Sequence, residues 1–96
     1  MGLDGKQRRK LRALGHHLAV VVQVGHEGVN AGVVAALEQA LWDHELVKVK
    51  LSSEDRHTRK EQAEALATGT GAEVAQVLGR TVLLYKANPD EPRIEL

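Results

Sequence analysis

The stretch LAVVVQVGHEGVNAGVVAALEQALWDHELVKVKL, residues 18–51, sets the fold class. Val20–Val24 is a β-branched run closed by Gly25, as expected of a buried strand. Asn30 is a capping side chain, and Val33, Leu37, Leu41 and His44 then recur on one face of a helix ending near His44. ELVKVKL alternates, with Val47, Val49 and Leu51 on one side and Leu46, Lys48 and Lys50 on the other, as a strand with one buried face does. A strand, a helix and a strand in this order imply two parallel strands joined by a right-handed crossover.

Upstream, Asp4 caps a helix over residues 5–16, whose apolar stripe is Leu11, Leu14 and Leu18. Lys6, Arg8, Arg9, Lys10 and Arg12 fill the opposite arc. Downstream, Ser52 and Ser53 start a third helix over residues 54–68, stopped by Gly69 and Gly71. AEVAQVL and TVLLYK are strands joined by Gly79 and Arg80, a two-residue hairpin. The expected fold is a two-layer α/β domain in the order α-β-α-β-α-β-β, with a mixed four-stranded sheet. Residues 1–87 form the single domain, and 88–96, with Pro89, Pro92 and acidic side chains, a poorly ordered tail.

The chain has 96 residues and 43% hydrophobic content, enough for one core and one site. It has no cysteine, which excludes a disulfide scaffold, a thiolate zinc site and a cysteine nucleophile. The longest apolar run, residues 18–22, is far short of the roughly 20 residues of a membrane helix. A cytoplasmic, monomeric protein without membrane contact is expected. Thirteen basic and thirteen acidic residues give zero formal charge, so attraction to nucleic acid must come from a local patch. Residues 1–18 supply one: five basic side chains against Asp4, a net +4.

The loop between the first strand and the second helix, Gly25-His26-Glu27-Gly28, stands where ligands usually bind in α/β sheets, beside a helix start that attracts anions. Two glycines without Cβ atoms let a phosphate backbone approach closely. The nucleotide patterns GxxxxGK[ST] and GxGxxG are both absent, leaving a GxxG loop that clamps a nucleic-acid backbone as precedent. If the first helix packs antiparallel on the sheet, Lys6, Arg9 and Lys10 lie beside this loop. Lys50 and Arg56, after the second strand, join them.

KQRRKLRALGHHL, VGHEGVN, ALWDHELVKVKL and GAEVAQVLGRTVLLYK, in this order and spacing, resemble the CRM domain (chloroplast RNA splicing and ribosome maturation) family, especially its bacterial stand-alone YhbY-type members. The resemblance runs from Lys6 to Lys86. It implies a fold like the C-terminal domain of translation initiation factor 3. It also implies RNA binding through Gly25, His26, Glu27, Gly28 and the basic first helix, with ribosomal RNA of the precursor large ribosomal subunit as partner and ribosome assembly as the process. The chain departs from the family at His26, where a basic or polar residue such as Lys is common. It departs also at Glu27, which sets a negative charge near the phosphate, and at Ala19-Val20, where a Lys-Pro pair is common.

No enzyme, metal site or cofactor is expected. His26-Glu27 and His44-Glu45 lack the second histidine of HExxH, and no nucleophile, base and orienting group come together. His44 is expected partly buried on the apolar helix face, and His16-His17 closes the first helix, where carbonyls need donors. Trp42 lies outside the core arc. The alternative function is a protein adaptor on ribosomal particles, docking through the sheet face or Trp42 while the glycine loop serves structure alone. A small phosphorylated ligand in the loop is the third reading.

Overall fold

The computed structural model describes residues 2–96. It has α1 (Gly5–Gly15), β1 (Val20–Gln23), α2 (Ala31–His44), β2 (Leu46–Lys50), α3 (Arg56–Thr70), β3 (Glu73–Leu78) and β4 (Thr81–Tyr85). The strands form one sheet in the order β1-β2-β4-β3. β1 runs parallel to β2, and the other pairs are antiparallel. Element order and mixed sheet are those expected.

Local chemistry sets the helix ends. Asp4 and Gln7 form a capping box at α1, and the Asn30 side chain accepts from the Val33 N–H at 2.9 Å. α3 starts two residues later than expected because Asp55 is its cap, accepting from the Thr58 N–H at 2.9 Å. Ser53 instead accepts from the Asp55 N–H. At the far end Gly71, at φ 74°, stops α3 in the left-handed conformation.

The sheet is covered on both faces, a layer more than the two expected. Val22, Val24, Val47, Val49, Leu51, Val82 and Leu84 face α2 and α3, packing on Leu37, Leu41, Ala63 and Leu66. The other face carries Leu46, Ala75, Leu83 and Tyr85 beneath Leu11 of α1. Leu46, expected to point outward with Lys48 and Lys50, is therefore buried. Of the α1 stripe only Leu11 is fully buried, while Leu14 and Leu18 are 43% and 37% exposed. The contact is made instead by Gly15: a Cβ there would lie 2.4 Å from the Leu83 side chain.

Glu45 ends α2. It is fully buried, at φ 63°, and its backbone N–H bonds the Leu41 carbonyl at 2.8 Å. Its carboxylate accepts from the N–H groups of Asn88, Arg93 and Ile94, while the Asn88 amide donates to the Trp42 carbonyl at 3.0 Å. Residues 88–96 carry no helix or strand, but rather than hanging loose they are tied across the end of α2. Burial pushes the Glu45 carboxyl up, and the three N–H donors with the Arg93 charge outweigh it, so it ionises below the ordinary 4.5.

Two outcomes are expected. Gly15→Ala should lift α1 from the sheet and destabilise the domain by about 1–3 kcal/mol, read by thermal unfolding. The ionised Glu45 clamp is complete above pH 4.5 and weakens as pH falls through the lower folded-state value. Hydrogen-exchange protection at Arg93 and Ile94, taken relative to the intrinsic rate at each pH, should therefore be lost in acid before that of the core amides.

Candidate nucleic-acid interface

The crossover brings three chain reversals to one end of the sheet. The Val24 N–H bonds the Lys50 carbonyl at 2.8 Å, and the Leu51 N–H bonds the Arg80 carbonyl at 2.6 Å. The glycine loop, the turn from β2 into α3 and the β3–β4 hairpin therefore share an edge. Because α2 and α3 both leave from it, their N-terminal ends, with unpaired N–H groups and positive dipole ends, point to the same side.

In the loop, the Gly28 N–H donates to the Gly25 carbonyl at 3.0 Å, closing a turn with His26 and Glu27 at its tip. Gly28, at φ 74°, needs to be glycine for its backbone. Gly25 does not: its φ is not positive, and a Cβ built there meets nothing within 4 Å. Nothing inside the fold explains a glycine at 25. His26 and Glu27 are exposed, and the Glu27 carboxylate reaches the Asn30 amide at 3.5 Å.

Cations surround this edge. Lys50, Arg56 and Lys60 are exposed and form no ion pair among the described residues. Arg59 bonds the Glu54 carbonyl, and Arg80 pairs with the Glu54 carboxylate. The first turn of α3 contains no acid although acids are favoured there. Asp55, before it, is held below the usual carboxylate range by the Thr58 N–H and hydroxyl. A helix that gathers Arg56, His57, Arg59 and Lys60 at its positive end gives up stability for a positive field.

The α1 cations are divided. α1 does not run antiparallel to β1 with its start at the loop. Its N-terminal side, from Leu3 to Leu11, packs near Tyr85 and Ile94 at the opposite end of the sheet, and a Cβ built on Gly2 would lie 4.0 Å from the Glu73 carboxylate. Its C-terminal turn reaches toward Leu78 and Thr81. Leu11 and Gly15, the residues that touch the sheet, set the helix direction through their partners. Lys6, Arg8 and Arg9 thus form a separate exposed patch, and Lys10 bonds the Glu95 carbonyl. Arg12 is the α1 cation nearest the loop end.

Lys60 and Arg80 were missed in the sequence. Lys60 is one turn from Arg56 and was legible as such, whereas Arg80 depends on β4 lying beside β2, which no local pattern gives. His44, expected partly buried, is exposed. Among the described residues, no group of three or more His, Cys, Asp or Glu side chains could hold a metal, and no helix is long and apolar enough to cross a membrane.

This arrangement has known counterparts. Residues 3–86 match the CRS1 / YhbY (CRM) domain. Over 94 residues the chain is 38% identical to the Bacillus subtilis protein named "Probable RNA-binding protein YqeI", covering 98% of each chain. It is 39% identical over 94 residues to a Haemophilus influenzae protein named "RNA-binding protein", covering 98% of this chain and 94% of that one. The solution structure of the hypothetical protein SAV1595 from Staphylococcus aureus superposes with a TM-score of 0.87 at 34% identity, over 98% of both chains. The chain belongs to the CRS1/YhbY (CRM) domain family.

Replacing the cation at the start of α3 separates stability from charge. Arg56→Glu is expected to raise stability by roughly 0.3–1 kcal/mol through the helix dipole, measured by chemical denaturation, although it removes a positive charge from the edge.

Proposed function

We propose that this protein binds RNA as its function, without catalysing a reaction, and that its target is ribosomal RNA of the precursor large ribosomal subunit during assembly in the cytoplasm. RNA binding is supported by the names of the relatives and by the loop edge. The ribosomal target is supported by the likeness to stand-alone family members. One observation carries the reading: Gly25 has open space where its Cβ would stand, at an edge where two positive helix ends meet Lys50, Arg56 and Lys60, which form no ion pair among the described residues. A phosphate backbone is the partner that uses both the missing side chain and the charge.

In this mechanism RNA phosphates accept hydrogen bonds from loop N–H groups near Gly25–Gly28, and Lys50, Arg56 and Lys60 neutralise neighbouring phosphates. Glu27 gives way to the RNA. The exposed Lys6, Arg8 and Arg9 patch lies one strand length away, roughly 15 Å, and contacts a more distant part of the same RNA. The protein acts as a monomer.

A second reading, the adaptor, has its own observation. Leu14, Leu18, Val20 and Val21 are all more than a third exposed, and Leu14, Leu18 and Val21 border a groove of about 340 Å³ with His44 and Ile94. Such a surface suits a protein contact.

Binding to a ribosomal RNA fragment should weaken with salt, with a log-log slope of roughly 0.7 for each single-strand phosphate contacted. Gly25→Ala should leave stability within about 0.5 kcal/mol and lower affinity about tenfold, the worth of one lost bond to a charged group. Lys50→Glu with Arg56→Glu should reduce the slope more than Lys6→Glu with Arg9→Glu. A flat salt dependence with retained binding to ribosomal particles would favour the adaptor.

A further inference from the structure

Beyond the loop edge the molecule holds a second polar cleft, on the α1 face of the sheet between the C-terminal turn of α1 and the β3–β4 hairpin. Its volume is about 370 Å³, within the roughly 300–1,000 Å³ of small-ligand clefts. Arg12 from α1, His16 just after it, Lys48 from β2, and Gln76, Thr81 and Leu83 from the hairpin line it. We propose that this cleft receives one unstacked nucleotide of the bound RNA, with its base edge toward Gln76 and Thr81 and its phosphate toward Arg12 and Lys48.

Three features converge on such a ligand. Lys48 is half-buried in the middle of β2, yet neither it nor Arg12 forms an ion pair among the described residues. A partly desolvated cation is costly unless a negative group meets it, and none among the described residues does so. Gln76 is also half-buried, and its side-chain amide has no hydrogen-bond partner among the described residues, though its atoms are not sealed off from solvent. It offers a donor and an acceptor, the pair that reads a base edge. The Thr81 hydroxyl already donates to the Leu78 carbonyl at 2.9 Å, so its lone pairs remain free to accept. Between these groups, Leu83 and the Gly15 backbone, so close that a Cβ on Gly15 would clash, form the apolar part of the cleft lining.

The position fits one RNA strand contacting both sites. Thr81 pairs with Lys50, and Lys50 with Gln23, two residues before Gly25. The cleft is therefore two strand spacings from the glycine loop, roughly 10 Å, a gap that a short run of nucleotides crosses. Phosphate contacts at the loop then supply affinity and register, and the cleft supplies base preference. This inference rests on the RNA-binding reading.

The test uses the whole protein in nitrogen-15 NMR, titrated with hexa-adenylate, hexacytidylate and hexauridylate, and with ribose 5-phosphate as the control lacking a base. With the preferred hexamer, the Gln76 side-chain amide and the Gly15 and Thr81 backbone amides should shift together with those of Gly25–Gly28. Ribose 5-phosphate should leave Gln76 in place. Gln76→Ala should reduce the preference between the best and worst hexamer by about five-fold or more without changing the salt slope. Arg12→Gln, at an exposed position, should lower that slope by about 0.7. If the loop amides shift while Gly15, Gln76 and Thr81 stay unmoved with every hexamer, the cleft is no nucleotide site and RNA binding at the loop stands. If no amide shifts with any RNA, the RNA-binding reading fails and the cleft with it. An unchanged base preference in Gln76→Ala would overturn the base readout.

Discussion

Two backbone hydrogen bonds, from the Val24 N–H to the Lys50 carbonyl and from the Leu51 N–H to the Arg80 carbonyl, hold the ends of β1, β2 and β4 in one line. The electropositive edge depends on that line. Two parallel strands send both following helices off from the same end, so the glycine loop, the first turn of α3 and the hairpin become neighbours although they lie up to 55 residues apart (25 to 80). A neutral chain thereby gathers Lys50, Arg56, Lys60 and Arg80 at one edge, with Glu27, Glu54 and Asp55 among them, because its charges are placed by topology rather than by composition.

β2 shows how the rest is organised around this edge. Its even-numbered residues face α1 and its odd-numbered ones face α2 and α3, so the strand serves two cores at once. Leu46 closes the smaller core at one end, Lys48 is half-buried midway, and Lys50 is exposed at the loop. Moving along that face from Leu46 to Lys50 is moving from packing to charge. Glu45, just before it, fastens the C-terminal residues at the end remote from the loop. The Glu45 clamp and the cations of the loop edge thus lie at opposite ends of the sheet.

Much of this was legible in sequence. Asp4 and Asn30 marked their helix starts, the Val20–Val24 run and the alternation of residues 46–51 marked the first two strands, and Gly79-Arg80 marked the hairpin. The GxxG loop stands out by its position after a strand and before a helix. Not legible was the function of Glu45, since a positive φ and a carboxylate clamp on residues 88–94 arise only when a distant segment returns. The direction of α1 is not legible for a related reason. Its basic arc is visible on a helical wheel, but the wheel does not reveal which way along the sheet the helix lies.

The sequence by itself determined the elements, their order, the parallel pairing of β1 with β2 and the loop that interrupts them. These are fixed by side-chain periodicity, capping groups and chain connectivity, all acting over a few residues. Tertiary structure alone decided that β4 lies between β2 and β3, that α1 covers the second face of the sheet, and that Arg12 rather than Lys6 approaches the loop end. Those outcomes depend on which apolar surfaces meet: Leu11 and Gly15 against Leu83 orient α1, and the orientation of α1 distributes its cations.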